Sequence, residues 1–103
     1  MGLNVDKSYH VTWAKTGIDE LAGILAYPSP VKERIFVDSF HRLSHSPTVT
    51  AKQIRNGPLE GYWVRRGLYQ VMLIFQVDDE HLSVQVDGIK YRAQNVYWMR
   101  GKR

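Results

Sequence analysis

The sequence contains no cysteine. This absence excludes a disulfide framework, a thiolate metal site and a cysteine nucleophile at once, and it suits the reducing cytoplasm. The chain also lacks any stretch that approaches about 18 uninterrupted apolar residues, the length that a membrane-spanning helix needs. Its opening run, MGLNVDKSYH, lacks the apolar centre of a signal peptide. We therefore expect a cytoplasmic protein without a membrane partner.

The spacing of a metal site and the glycine loop of a phosphate site are missing as well. Of the four histidines, His41 and His45 lie one helical turn apart, but no third ligand is near them in the sequence. No G-x-S-x-G motif is present, and Gly57, Gly61 and Gly67 are typical of turns. We therefore expect neither a metal nor a cofactor.

A chain of 103 residues is long enough for one domain with one hydrophobic core. We expect a single domain over residues 1–103, with residues 1–7 and 99–103 as flexible ends. The formal net charge is +4, and all of it comes from residues 47–103, which carry nine Lys or Arg against five acids. Residues 1–46 carry five of each. This distribution indicates either a surface for a polyanion or a charge that serves solubility.

Hydrophobic periodicity predicts one strand and then two helices in the first half of the chain. The run SYHVTW, residues 8–13, alternates between polar and apolar side chains, as a half-buried strand does. Thr16 and Asp19 have the spacing of a capping box that opens a helix. A second helix is expected from Ser29, as its N-cap, to the SHSP run.

The second half predicts three strands. Residues 48–61 read as a connection, and a strand over 62–65 leads into a long central strand over 68–77 with apolar side chains on both faces. A further strand over 82–86 ends at Asp87-Gly88, which is typical of a bulge. The order β-α-α-β-β-β predicts an α+β domain: a small antiparallel sheet with an N-terminal strand and a helix hairpin packed on one face.

Basic side chains gather at one end of the expected sheet. Arg65 and Arg66 precede the central strand, while Lys90 and Arg92 close the last one. If these strands are adjacent and antiparallel, the cations share one edge. Like charges repel there unless an anion binds.

Such a cluster suits the cleavage of RNA without a metal. That reaction needs a base for the 2′-OH proton, cations for the pentavalent phosphorane and an acid for the 5′-oxygen. Arginine and lysine supply the cations, and Tyr or Lys with a lowered pKa can transfer protons. Tyr91 and Tyr97 add aromatic faces on which unstacked bases can lie. Each arginine taken singly is better explained as a solvated strand end, whereas the set together favours a nucleic-acid role.

The run from Val64 to Trp98 resembles the closing half of the RelE/ParE superfamily, the toxins of type II toxin–antitoxin pairs. The family pattern is Arg-x-Gly-x-Tyr-Arg, an acidic turn, a strand that ends in a basic pair, and Val-Tyr. The matching segments of this chain are Arg65-Arg66-Gly67-Leu68-Tyr69-Gln70, Asp78-Asp79-Glu80, Lys90-Tyr91-Arg92 and Val96-Tyr97. With the earlier elements, the resemblance covers roughly residues 8–98.

The resemblance implies two helices on one face of the sheet and an active cleft on the other. RelE-type members cut mRNA on the ribosome, and ParE-type members poison DNA gyrase. We therefore expect catalytic residues at Arg65, Lys90, Arg92 and Tyr97. Residues that bind RNA are expected at Arg66, Tyr91, Lys52, Arg55 and Gln70. The expected partners are a cognate antitoxin and mRNA on the ribosome, with gyrase as the alternative target.

Three positions depart from the RelE pattern. Gln70 stands where RelE-type toxins usually carry an arginine, and Gly61 and Trp63 stand where the best-studied kind carries lysines. Lys90 or Arg66 could supply the missing charge. The Val-Tyr ending favours an mRNA endonuclease toxin. The alternatives are a gyrase inhibitor and a degenerate member that only binds its antitoxin.

Overall fold

The computed structural model describes residues 8–91. Within them the chain forms two α-helices and five strands, with a short 3₁₀ turn at Leu68–Gln70. The elements in chain order are β1 (His10–Trp13), α1 (Lys15–Ala22), α2 (Ser29–Ser44), β2 (Lys52–Gln53), β3 (Trp63–Arg66), β4 (Met72–Asp78) and β5 (Ser83–Lys90). Neither helix is long and apolar enough to cross a membrane.

The strands form one sheet in the order β1-β5-β4-β3-β2. Neighbouring strands run antiparallel except β1 and β5, which pair in parallel, with Val11 opposite Val84. The predicted α+β fold is confirmed. The sheet has one strand more than predicted, because Lys52 and Gln53 in the expected connection pair with Val64 and Trp63.

The main core lies between the sheet and the two helices. Alternate residues of β4 and β5 point toward the helices, because successive side chains of a strand face opposite sides. The residues of this core that are at most 2% exposed are Ile24, Ile35, Leu43, Val71, Leu73, Phe75, Val84, Val86 and Ile89. The helices therefore cover one face of the sheet, as predicted.

A second, smaller core lies on the opposite face of the sheet. Ile54, Val64 and Ile74 are buried there, with Leu59 and Tyr62 packed against them. The loop that contains Leu59 and Tyr62 thus covers only part of this face. Exposed side chains occupy the rest, and we call this area the open face; its members include Lys52, Arg66, Gln76 and Gln85.

The predicted capping box at the start of α1 is wrong. The helix starts at Lys15 after Ala14, and no side chain caps it. Thr16 Oγ1 donates instead to the carbonyl oxygen of Asp87 at 3.0 Å, and Asp19 pairs with Lys15 at 2.8 Å. The Thr16 hydroxyl, which the local spacing assigned to the start of α1, therefore binds β5 instead.

The start of α2 also differs from the prediction, by one residue. Ser29 was expected as the N-cap, but it is the first helical residue and Pro28 holds the N-cap position, without a side-chain hydrogen bond. Pro30 lies in the first turn, where its missing N–H costs nothing.

The central strand expected over 68–77 begins later than predicted, at Met72, and ends at Asp78. β3 and β4 form a hairpin in which Arg66 pairs with Met72, so the chain must reverse within the residues between them. Tyr69 and Gln70 adopt left-handed conformations with φ of 56° and 64°, and the N–H of Gly67 donates to the carbonyl of Val71 at 2.7 Å. Alternating apolar residues continued through this turn, so periodicity alone extended the strand too far.

The predicted bulge at Asp87-Gly88 is confirmed. Ile74 pairs with Gly88 while the next residue, Phe75, pairs with Val86, so Asp87 is the extra residue of β5. Its carboxylate accepts hydrogen bonds from Gln76 at 2.7 Å and Gln85 at 2.9 Å.

The buried hydroxyl of Ser39 provides a test of the helix–sheet packing. Ser39 is fully buried; it accepts a hydrogen bond from the indole N–H of Trp13 at 2.9 Å and donates to the carbonyl of Phe36 at 2.6 Å. We expect Ser39→Ala to lower the free energy of unfolding by about 1–3 kcal/mol, because the indole N–H loses its partner inside the core. Urea denaturation measures this difference.

Ser44→Ala is the matched control. Ser44 makes a similar bond to the carbonyl of His41 in the same helix, but in an exposed position. Its replacement should change the free energy of unfolding by less than about 0.5 kcal/mol. Equal losses in the two variants would contradict the predicted role of the buried hydroxyl.

The close approach of α1 to β5 gives a second prediction. A Cβ atom at Gly17 would lie 2.7 Å from the carbonyl oxygen of Val86 and 3.2 Å from the Trp13 ring. Alanine in place of glycine favours a helix by about 1 kcal/mol, but overpacking costs about 1–3 kcal/mol. We expect Gly17→Ala to destabilise the protein in thermal and urea unfolding, and Gly23→Ala, where the nearest atom is 3.3 Å away, to change stability less. A stabilised Gly17→Ala variant would contradict this packing.

Candidate functional site: a basic cleft on the open face

A cleft of about 250 Å³ lies at the β2-β3-β4 side of the sheet. Lys52 stands opposite Val64 and Arg66 opposite Met72, so Lys52, Val64, Arg66 and Met72 point to the same face. We call this feature the basic cleft, and its lining residues are Thr50, Lys52, Val64, Arg65, Arg66 and Met72.

Among residues 8–91, no acid compensates the positive charge of the basic cleft. No carboxylate is among its lining residues. Lys52 and Arg66 are exposed, and within residues 8–91 neither makes an ion pair or a side-chain hydrogen bond. Two cations that share a concave surface without a counter-charge attract anions, and phosphates above all.

Arg65 lines the same cleft but uses its donors on the backbone. Its Nη1 atom lies 3.1 Å from the carbonyl oxygen of Arg42, 3.3 Å from that of Ser46 and 3.2 Å from that of Pro47. The last carbonyls of a helix have no partner within the helix, so Arg65 caps the C-terminal end of α2. Burial and the nearby charge of Arg42 lower the pKa of Arg65. Its predicted catalytic role stays a prediction, beside this structural one.

Lys90 lies at the same level of the sheet as Arg66. Met72 of β4 pairs with Arg66 on one side and with Lys90 on the other. Arg66 and Lys90 therefore lie at one end of the sheet, as the antiparallel pairing predicted. The Lys90 ammonium, however, lies 3.3 Å from Oε2 of Glu20 in α1, and the side chain is only 21% exposed.

Tyr91 lies on the helix side of the sheet, away from the basic cleft. It packs against the main core, and its ring centroid is 5.8 Å from that of Tyr27. Tyr27 in turn lies 6.3 Å from Tyr69, whose hydroxyl accepts a hydrogen bond from Arg34 at 3.0 Å. A base-stacking role for Tyr91 stays a prediction.

The other predicted site residues are scattered or lie outside the described residues. Gln70 is exposed in the left-handed turn before β4, and Arg55 is exposed in the loop that covers the second core. Arg92 and Tyr97 lie outside the described residues, so their predicted roles stay predictions.

Sequence reasoning did not identify Glu20 as a partner of Lys90. The two residues are 70 positions apart, and no local pattern connects them. A glycine within a strand often marks a place where another group comes close to the backbone. Gly88 is such a signal, but the sequence does not show that the group is the Glu20 carboxylate.

The β4–β5 turn holds a group of possible metal ligands that the sequence analysis also did not mark. One ligand atom each from Asp78, Glu80 and His81 lies within 4.8 Å of the others, and all three residues are exposed. His81 Nδ1 lies 2.8 Å from the Asp78 carboxylate, and this hydrogen bond lowers the pKa of Asp78. The Nδ1 atom of His81 thus helps to stabilise the turn.

The sequence matches no protein-family model and no curated protein, but the fold is similar to that of solved toxin–antitoxin proteins. A chain in the RelBE2 toxin–antitoxin complex from Mycobacterium tuberculosis is 27% identical, with a TM-score of 0.68 over 86% of this chain and 99% of that chain. A mutant of the E. coli toxin RelE in the free state is 22% identical, with a TM-score of 0.59 over 87% and 90%.

The likeness extends to an archaeal protein. The RelE–RelB complex from Pyrococcus horikoshii OT3 contains a chain 16% identical, with a TM-score of 0.59 over 85% of this chain and 99% of that chain. The two lower identities support the fold alone, whereas the RelBE2 likeness adds sequence similarity over nearly the whole of the matched chain. With the strand order β1-β5-β4-β3-β2 in place, the fold of this chain is similar to that of the RelE-like toxins.

Proposed function

We propose that this protein is the toxin of a type II toxin–antitoxin pair and that it cuts mRNA on the ribosome. The observation that carries the proposal is the basic cleft: Lys52 and Arg66 stand without counter-charges on the sheet face that the helices leave uncovered. RNA brings one negative charge per phosphate, so a concave surface of this kind binds and orients the backbone of a single strand.

The proposed reaction is an in-line attack of a ribose 2′-oxygen on the adjacent phosphorus. The 2′-OH loses its proton, a 2′-O–P bond forms and the P–5′-O bond breaks. The 5′-oxygen takes up a proton, which leaves a 2′,3′-cyclic phosphate and a 5′-hydroxyl. Negative charge grows on the phosphorane oxygens during this step. We assign Arg66 and Lys52 to stabilise that charge; in support, both are exposed at the cleft and point to the same face.

The remaining roles follow from the sequence pattern. We assign Lys90 and Arg92 as further cations at the β5 end and Tyr97 as a proton-transfer group. Arg65 forms a wall of the cleft and fixes the end of α2 against β3 through its three backbone contacts. Arg66 would replace the arginine that Gln70 has displaced from the family pattern.

The proposal includes an antitoxin as partner. The RelBE2 structure is a toxin–antitoxin complex and the Pyrococcus structure is a complex of RelE with RelB, and we extend such a pairing to this chain. An acidic antitoxin segment over the basic cleft would both neutralise Lys52 and Arg66 and exclude RNA.

Induction in a bacterial host without an antitoxin tests the proposed function. The wild-type chain is expected to stop protein synthesis rapidly and to leave cut messages, as followed by pulse labelling and RNA blots. Arg66→Ala is expected to slow cleavage about 100-fold, the typical effect of losing one donor to a developing anion. Lys15→Ala removes the same charge from an exposed site on α1 and should leave toxicity unchanged.

The outcomes separate the candidate functions. Growth arrest with intact messages and damaged DNA would replace the proposal by gyrase inhibition. No arrest, with the protein expressed and folded, would indicate a member that only binds its antitoxin. Full toxicity of the Arg66→Ala variant would contradict the assignment of the basic cleft.

Salt dependence tests the basic cleft separately from the chemistry. For single strands, log K falls with log[salt] by about 0.7 per phosphate contact. With a short single-stranded DNA, which offers no 2′-OH to attack, Arg66→Ala should therefore make the slope less steep by about 0.7. The control Lys15→Ala should keep the wild-type slope. Identical slopes for wild type and Arg66→Ala would show that Arg66 does not contact phosphate.

A further inference from the structure

Glu20 of α1 reaches the part of β5 that extends beyond β1. The paired segment of β1 ends at Trp13, opposite Val86, so within residues 8–91 the next residues of β5 have no strand on that side. Glu20 Oε1 accepts a hydrogen bond from the backbone N–H of Ile89 at 3.0 Å, and Oε2 lies 3.3 Å from Lys90 Nζ. One carboxylate thus serves both the strand edge and the lysine ammonium.

The space for this carboxylate exists because residue 88 is glycine. A Cβ atom at Gly88 would lie 2.9 Å from Glu20 Oε1 and 3.3 Å from Ile74 Cδ1. The neighbouring bulge residue, Asp87, also contacts α1 through the hydroxyl of Thr16. At Asp87 and Gly88, the backbone of β5 therefore lies in direct contact with side chains of α1.

The Glu20–Lys90 ion pair is less exposed to solvent than the Lys15–Asp19 ion pair of the same helix. The side chains of Lys90 and Glu20 are 21% and 39% exposed, against 88% and 61% for Lys15 and Asp19. A lysine on the surface samples many rotamers, whereas one that is mostly buried and paired is held in place. Glu20 therefore fixes where the ammonium of Lys90 lies.

We propose that Glu20 is a positioning residue for the RNA site. It holds Lys90 on the β5 side of the site while Arg66 stands on the β3 side, at the same level of the sheet. The phosphate backbone of the message would then meet two cations across β4 in a fixed arrangement. This inference rests on the proposed function, since the site is the one assigned there.

Glu20 acts through Lys90 and does not take a proton from RNA. Both of its oxygens already accept hydrogen bonds, from Ile89 and from Lys90. We therefore assign proton transfer to Tyr97 and not to this carboxylate.

Glu20→Gln separates positioning from folding. The amide oxygen can still accept from the N–H of Ile89, but the negative charge that holds Lys90 is lost. With ribosome-bound message, kcat should fall at least about tenfold, since a misplaced charged group costs one to two orders of magnitude. KM should stay the same or fall, because the loss of a negative charge beside the site does not weaken its attraction for RNA.

Asp19→Asn is the matched control. It removes the same charge from the neighbouring residue of α1, whose carboxylate is exposed and pairs only with Lys15 among the contacts of the described residues. This variant should keep kcat within about twofold of wild type. Circular dichroism and thermal unfolding check that all three proteins fold.

A second measurement follows Lys90 without any RNA. Lysines carrying ¹³C-methyl groups give separate NMR signals, and the signal that disappears in Lys90→Arg belongs to Lys90. This signal should shift and narrow in Glu20→Gln and stay in place in Asp19→Asn. The Lys90 signal thus reports directly whether the lysine is held in place, even in a variant of lower stability.

The outcomes distinguish this inference from the proposed function. A wild type that cuts no message would overturn the proposed function, and the Lys90 signal alone would then decide whether Glu20 holds Lys90. If wild type cuts and Glu20→Gln cuts equally well, Glu20 is not a positioning residue. A parallel fall of kcat in Asp19→Asn would overturn the inference too, since it would reduce the effect to net charge.

Discussion

The structure depends on the direct packing of α1 against the backbone of β5. Thr16, Gly17 and Glu20 lie on one side of the helix and meet β5 between Val86 and Lys90, through a hydroxyl, a missing Cβ and a carboxylate. All three contacts use the same close approach of the helix, since a Cβ atom at Gly17 would lie 2.7 Å from the carbonyl oxygen of Val86. The contact holds the end of the strand that carries Lys90, and so it connects the core to the candidate site.

Local sequence patterns predicted the elements that local forces decide. The strand expected over 82–86, the helix expected between Ser29 and the SHSP run and the Asp87-Gly88 bulge all appear in the structure, with small differences at their ends. The parallel register of β1 was not predictable, because it joins segments far apart in the chain. β2 was missed because a strand of two residues is too short to show periodicity. The turn at Tyr69 and Gln70 was missed for another reason: its left-handed residues are not the glycine or asparagine that usually mark one.

The candidate site was predictable in outline and not in detail. Hairpin geometry was enough to place Arg66 and Lys90 at one level of the sheet, and the structure bears this out. Hairpin geometry alone could not show which of Arg65 and Arg66 faces the cleft. Neighbouring strand residues point to opposite faces, and only the fold decides which face is open. Arg65 contacts the end of α2, and Arg66 remains exposed at the cleft. Glu20 escaped notice because acidic residues on helices are usually solvated.

The ends left on a cut message test the central claim most directly. Ribosomes carrying a defined mRNA would be incubated with the purified protein, and the products would be mapped for position and end chemistry. A 2′-OH attack oriented by the basic cleft predicts 2′,3′-cyclic phosphate and 5′-hydroxyl ends, and no cut where the nucleotide before the scissile bond is 2′-deoxy. An intact message, or cleavage of the 2′-deoxy substrate, would contradict the account.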